Sequence, residues 1–424
     1  MVLDHSHNPL VRYFKLLGPG LVTGASDDDP SGITTYSVAG ASFGYGMLWT
    51  ALLTLPLTIA VQLICARIGL VSGRGLAGTV RRHYPRPFLY AACLLLLAAN
   101  VFNIAADLGG MAEAVRMLTG LPALVSVPLF GAAILIGTVY TSYATFARYL
   151  KWLTAVLFAY IAAAFLAGPD WGAVLRATFL PSIRWDALYV GTLVGVLGTT
   201  ISPYLFFWQA SQEVEEDKAR GQHTAAQRRG ATDHELADAR LDVTTGIVFS
   251  NVVFYFIILT TGSTLYRAGH REIETARQAA EALKPVAGEG AYLLFTLGLV
   301  GTGLLAVPVL AGSASFAVAE LFGWRAGLDL SPRRGRGFYL VFAGAVVAGM
   351  LLDFLDTNPI RMLFLAAVLN GVLAPPLLLL VMLVGNNRAI MGERTNGPWL
   401  NALGWGATLL MTAAAAAFFA TSWR

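Results

Sequence analysis

Ala25-Ser26-Asp27-Asp28-Asp29-Pro30-Ser31-Gly32 splits the first long apolar run of the chain, with mostly apolar residues at 16–25 before it and 33–41 after it. A charge at bilayer depth costs about 2.5–3.5 kcal/mol on insertion scales, so three consecutive aspartates do not face lipid. Pro30 lacks an N–H and clashes with the turn before it, and Gly32 loosens the backbone, so the spacing predicts a helix that breaks here. Broken backbone is tolerated at that depth only against protein or a water-filled cavity. Paired breaks near the midplane are where carriers hold what they move. The rival reading, a loop between two short segments, is disfavoured by length. Residues 16–25 alone are too short to cross about 30 Å of hydrocarbon as a helix.

The remainder of the chain is as apolar. Of 424 residues, 56% are hydrophobic and 13% charged, against about 25% charged in soluble domains. Apolar runs of about 20 residues recur throughout and leave no large soluble domain. The reading is an all-α polytopic membrane protein with eleven spans, at about 16–42, 47–71, 88–116, 122–143, 149–168, 188–212, 242–266, 288–317, 337–355, 359–384 and 399–420. The net charge of +4 does not indicate nucleic acid, because the charges lie in short connections. Basic residues such as Arg74, Arg81, Arg82, Arg228 and Arg229 crowd the connections on the side of the N-terminus. The positive-inside rule then sets the N-terminus in the cytoplasm and the C-terminus outside, in a multi-pass protein of the cell membrane. The polar arm before the acidic first span does not read as a cleavable signal.

Other segments read plainly. Cys65 and Cys93 fall in apolar runs and read as buried small hydrophobes. Residues 212–241 carry mixed charge and read as a solvated helical or flexible connection without catalytic role. Residues 271–284 predict a short surface helix stopped by Pro285. Asp353 and Asp356, near an outer span end, are expected in solvent.

Span 6 carries a second break signature in Gly195, Gly198, Thr199, Thr200, Ile201, Ser202, Pro203 and Tyr204. Alone it would be a proline kink with back-bonded hydroxyls. Paired with the break five spans earlier, it points to a transport site. Two five-span units of inverted topology (16–168 and 188–384) plus an extra span (399–420) account for all eleven. In span 3, Asn100, Asn103 and Asp107 are spaced to share one helical face. Such a stripe lines a polar pathway or bonds helices together. Asn370 in span 10 is expected to line the same cavity. An intramembrane aspartyl hydrolase is set aside, because no second aspartate carries a matching glycine-rich motif; no enzyme is expected.

Gly18-Pro19-Gly20, Asp29-Pro30-Ser31-Gly32, Gly44-Tyr45, Gln62, Ala66-Arg67-Ile68-Gly69 and residues 198–203 together resemble the NRAMP family of divalent-metal transporters over nearly the whole chain. The resemblance implies the inverted five-plus-five repeat of the sodium-coupled amino-acid transporter type, with helices 1 and 6 broken. The departures are specific. Where the family has Asp-Pro-Gly-Asn, this chain has Ser31 and Gly32 in the last two places. The family's methionine is Ser202, its two histidines are Tyr204 and Gln209, and the glutamate of its proton relay is Gly110. This is similar to the divergent branch that includes magnesium transporters.

By that resemblance the metal ligands are the Asp29 carboxylate and the Ser26 and Thr199 carbonyls, with the Ser31 and Ser202 hydroxyls beside them. Tyr204 and Gly32 complete the substrate site. Asp28 either adds charge behind the ligands or, like Asp27, caps the following half-helix. All the ligands are oxygens, which suits hard ions such as Mg²⁺ and Ca²⁺; the expected cargo is Mg²⁺ or Mn²⁺, and loss of the asparagine and methionine is expected to leave room for it as a hydrated ion. Asn103, Asp107 and Asn370 form the expected proton or polar pathway, with coupling weak or absent. No cofactor is expected beyond the transported cation, no partner beyond the bilayer, and a monomer is compatible with everything read. Two rivals stay open: an organic cation on the same fold, held by aromatic faces such as Tyr36 or Tyr204, and a non-transporting sensor.

Overall fold

The computed structural model describes residues 18–140, 155–355 and 358–422, and among these there are helices and connections but no strands. Span 1 is two half-helices, α1 (Pro19–Asp27) and α2 (Pro30–Phe43). There follow α3 (Trp49–Ser72), the short α4 (Leu76–His83), α5 (Arg86–Thr119), α6 (Ala123–Tyr140), α7 (Phe158–Leu166) and α8 (Trp171–Phe179). Span 6 is again split, into α9 (Ala187–Thr200) and α10 (Pro203–Ala219), and α11 is Asp233–Ser263. Two short pieces, α12 (Ala276–Ala280) and α13 (Lys284–Ala287), precede α14 (Ala291–Phe322), α15 (Arg336–Asp353), α16 (Pro359–Gly385), the short α17 (Arg388–Met391) and α18 (Pro398–Ser422). Nine helical stretches among the described residues are long and apolar enough to cross a membrane. The first span escapes that measure because it is broken, and the start of the fifth, at 149, lies outside the described residues. Asp356 lies outside them too.

Proline alone does not make the breaks. Pro56, Pro128, Pro308, Pro375 and Pro376 all sit inside continuous helices. Pro30 and Pro203 instead open their helices, where a missing N–H costs nothing. The residue before each is extended: Asp29 at φ −68°, ψ 170° and Ser202 at φ −75°, ψ 124°. Asp29 also caps α2, its Oδ1 accepting from the Gly32 N–H at 2.7 Å and from the Ser31 hydroxyl at 2.7 Å. The second break is therefore a true interruption and not a kink.

Large apolar side chains such as Leu94, Leu124, Leu340 and Leu351 stay exposed on the outside of the bundle, as a lipid-facing surface requires. Inside, α1 lies against α11 with backbone touching backbone. A Cβ on Gly24 would strike the Gly246 backbone, and one on Gly20 would stand 2.6 Å from the Val243 Cα. Asp242 of α11 accepts from the N–H groups of Gly18, Gly20 and Leu21 at 2.9, 2.6 and 3.0 Å. These are orphan donors of the first turn of α1, so one carboxylate anchors the whole half-helix. At the same end, Glu320 of α14 accepts from Gly75 and Gly78 at the start of α4, at 2.9 and 2.8 Å. Arg67 reaches this end as well, donating to the Arg394 carbonyl at 2.7 Å.

Three local expectations change. Asp353 is buried at the end of α15, with its carboxylate over Gly109 of α5, because glycine leaves a hollow there. Pro285 does not end the surface helix; it sits in the first turn of the next piece, α13. The connection after span 6 is helical to Ala219 and again from Asp233 under a Thr232–Glu235 capping box, but it is not solvated throughout. Glu213 and Asp217 are buried within it.

Candidate functional site

The two breaks meet in the middle of the bundle. Ser26, Asp28, Asp29, Ser31, Thr199, Ser202 and Tyr204 are all buried there. Gly32 marks the meeting point: a Cβ on it would stand 2.9 Å from Thr199 Oγ1, 3.3 Å from the Asp27 carbonyl oxygen and 3.4 Å from Asp29 Oδ1. The space directly beside this glycine is therefore occupied in this conformation.

The exposed carbonyls of the breaks are served from within the chain. The Tyr204 hydroxyl donates to the Ser26 carbonyl at 2.8 Å, and the Ser202 hydroxyl to the Thr199 carbonyl at 2.6 Å. A carbonyl oxygen has two lone pairs, so each keeps one for another partner. The hydroxyls of Ser26 and Thr199, one oxygen each of Asp27 and Asp28, and both oxygens of Asp107 have no hydrogen-bond partner among the described residues. Asp29 is the charged group that bears on Asp107. None of the ion pairs among the described residues includes Asp27, Asp28, Asp29 or Asp107. Four buried carboxylates without a basic side chain are costly unless protons or a cation compensate them.

Asp27 and Asp28 do not cap α2, which is Asp29's task. Both turn to Ser250 of α11, whose hydroxyl lies 2.9 Å from Asp27 Oδ2 and 3.2 Å from Asp28 Oδ1. One hydroxyl has one proton, so it cannot fully satisfy both carboxylates.

The polar stripe of α5 divides. Asn103 and Asn370 exchange two amide bonds, at 2.9 and 3.0 Å, and Asn100 donates to the Leu310 carbonyl at 2.8 Å. These asparagines tie α5 to α16 and α14. Asp107 alone of the stripe makes no side-chain hydrogen bond; it lies within the field of Asp29 and beside the Ser31 backbone. Gly110, where a relay glutamate was expected by resemblance, is packed by Leu363, 2.7 Å from a would-be Cβ.

Several participants carry no local signature. Thr23 donates to Gln209 at 2.6 Å, and Gln209 donates to Glu213 at 2.8 Å, which clamps α1 to α10 on the Asp242 side of the site. On the other side Tyr36 bonds Thr200 at 3.2 Å and stacks on Phe254 with centroids 4.4 Å apart. Ser250, Asp242 and Thr23 were not foreseen. Their only signal is being hydroxyl or carboxyl groups inside apolar helices.

Known proteins bear on this architecture. A divalent metal cation transporter, MntH, of Pectobacterium carotovorum is 28% identical over 405 residues, covering 92% of this chain and 90% of that one. The MntH of Aeromonas hydrophila is 27% identical, covering 93% of each. Among solved structures, a manganese transporter of Eremococcus coleocola in complex with an aromatic bis-isothiourea compound superposes with a TM-score of 0.72 at 18% identity, covering 97% of this chain and 87% of that one. The inward-facing Mhp1 structure superposes with a TM-score of 0.50 at 16% identity, covering 96% and 91%. The fold is therefore that of these transporters, the inverted five-plus-five bundle with helices 1 and 6 broken. The model of the Nramp family, natural resistance-associated macrophage protein-like, matches residues 20–421, and the chain belongs to that family.

Proposed function

We propose that this chain is a secondary transporter of divalent metal cations, moving Mg²⁺ or Mn²⁺ across the cell membrane with weak or absent proton coupling. The observation that carries the reading is Asp29, a buried carboxylate at the first helix break, with Asp107 and the Thr199 hydroxyl near it lacking any side-chain partner and no basic side chain paired to it. A divalent cation compensates that charge in one step. Relatives described as divalent metal cation and manganese transporters favour the same class of cargo.

Asp29, the Ser26 and Thr199 carbonyls and the Ser202 hydroxyl are the ligands of this proposal, with Ser31 holding the Asp29 carboxylate in place. Asp28 adds negative charge behind them. An all-oxygen set suits hard ions, and a thioether that would favour softer ones is absent from it. Cargo enters and leaves as the Asp242 and Thr23–Gln209–Glu213 contacts open on one side and the Tyr36–Phe254 contact on the other. The arginine-rich end is the cytoplasmic one under the positive-inside rule, which sets the C-terminus outside.

Weak coupling rests on Gln209, Tyr204 and Gly110, none of which titrates near neutrality. The organic-cation alternative loses one of its two aromatic faces, because Tyr36 gives its face to Phe254.

Liposomes holding dyes for Mg²⁺, Mn²⁺, Ca²⁺ and pH test the proposal. Uptake of Mg²⁺ or Mn²⁺ should follow an inside-negative potential, which gives a dication about 4.6 kcal/mol per 100 mV. No metal flux in any channel would defeat the reading.

A further inference from the structure

At the arginine-rich end lies a cavity of ≈ 400 Å³ outside the transport path, lined by Ser72, Arg74, Thr79, Arg82, His83 and Arg229 among others. Its cationic side chains come from separate segments. Arg74 lies between α3 and α4, Arg82 and His83 lie at the end of α4, and Arg229 lies in the connection between α10 and α11. No carboxylate lines it. A larger neighbouring cavity of ≈ 730 Å³ shares Arg74 and adds Lys218, Arg228, Arg325 and Arg334. The acids in that second cavity are mostly committed: Glu320 to the Gly75 and Gly78 N–H groups, Glu215 to Lys218.

Cytoplasmic arginines are expected on any such protein, and basic residues at the end of α4 suit its dipole. The first reason places Arg74 and Arg229 on their connections, but neither accounts for their converging with Arg82 on the same hollow. Like charges gathered around one space repel, and none of Arg74, Arg82 and Arg229 is ion-paired among the described residues. Ser72 and Thr79, both lining the cavity, are bonded to each other at 2.9 Å and so tie the end of α3 to α4. A carbonyl only accepts, so His83 donates Nδ1–H to the Thr79 carbonyl at 3.0 Å and keeps Nε2 free of that bond.

We propose that this cavity binds a phosphate ester. Guanidinium forks match phosphate oxygens in pairs, and several of them converging select a dense anion over a single carboxylate. The volume exceeds what a bare inorganic ion needs and suits a phosphate with an organic group attached. Two sources share that chemistry: the headgroup of an anionic phospholipid and a soluble organic phosphate. The exposed Phe88 and Tyr90 on the first turns of α5 set the cavity near the bilayer surface, within reach of either.

The test uses the purified full-length chain and an Arg82→Gln/Arg229→Gln variant. Both arginines are exposed, so the variant should fold, and its melting curve without additive checks this. ATP, phosphatidylglycerol in mixed micelles, phosphatidylcholine and citrate are titrated while thermal unfolding is followed. Stabilisation by ATP or phosphatidylglycerol, weakened about ten-fold or more in affinity in the variant, is expected. The lipid alone acting assigns a headgroup; ATP alone acting assigns a soluble ester. No stabilisation by either, equal stabilisation by citrate, or an unchanged variant overturns the proposal. Metal uptake does not enter the readout, so the result is independent of the transport reading.

Discussion

The Tyr204 hydroxyl donates to the Ser26 carbonyl at 2.8 Å, so the residue after the second helix break closes the backbone opened by the first. Residues 178 apart in sequence thereby share one hydrogen bond. Tyr204→Phe leaves that buried carbonyl with one partner fewer, at a cost of about 1–3 kcal/mol. A cation bound to the carbonyl recovers part of it. Calorimetry with Mn²⁺ should therefore give tighter binding, by up to about ten-fold. Weaker binding would mean that the hydroxyl itself holds the ion.

Asp29→Asn and Asp29→Ala separate charge from capping. Both remove the carboxylate charge and should abolish metal binding. Asparagine still accepts from the Gly32 N–H, whereas alanine loses the cap, worth about 0.5–2 kcal/mol. Melting temperatures should rank asparagine above alanine while calorimetry shows no metal heat for either. Metal binding near wild type in the alanine variant would reject the site.

Asp242→Asn weakens the anchor of α1. Hydrogen bonds to a charged acceptor are worth about 1.5–3 kcal/mol, and an amide replaces one oxygen by a donor that clashes with an N–H. The half-helix should open more often towards the arginine-rich end. An Ala25→Cys reporter should then label faster with a thiol reagent in the Asp242→Asn background. Unchanged labelling would show that the anchor does not limit opening.

Gly24→Ala probes the backbone seam with Gly246. A methyl there has no space and should destabilise by about 1–3 kcal/mol. Gly344→Ala, on the exposed face of α15 with nothing within 4 Å, should be neutral or stabilise by up to about 1 kcal/mol. Chemical unfolding of the two in detergent checks the contrast.

A pH gradient at zero potential, without a metal gradient, should not drive metal uphill. Asp107 is the single acid left on the expected proton route, since Gly110 is closed off by Leu363. Uphill accumulation that disappears in Asp107→Asn would restore proton coupling.

Both breaks were legible because each writes itself locally: a proline preceded by Asp29 or Ser202, inside an apolar run. The order of the spans was legible for the same reason. The contacts that shape the site were not. Ser250 reaches Asp27 across 223 residues and Asp242 reaches Gly20 across 222, and no periodicity relates such partners. Asn103 could be read as pathway or as glue, and the choice depended on Asn370 facing it. Asp353 looked solvated because hydropathy does not report the hollow that Gly109 leaves on a neighbouring helix.

A carrier that delivers net cargo must also make its return leg unladen. Here the hydroxyls of Tyr204 and Ser202 serve the carbonyls at the two breaks, so the protein without cargo strands neither carbonyl in dry surroundings. The carbonyls at the breaks then add no barrier to the unladen crossing, and what remains to be compensated is the charge of the buried Asp27, Asp28, Asp29 and Asp107. Counterflow exchange should therefore outrun zero-trans influx, because bound cargo compensates those carboxylates on both legs.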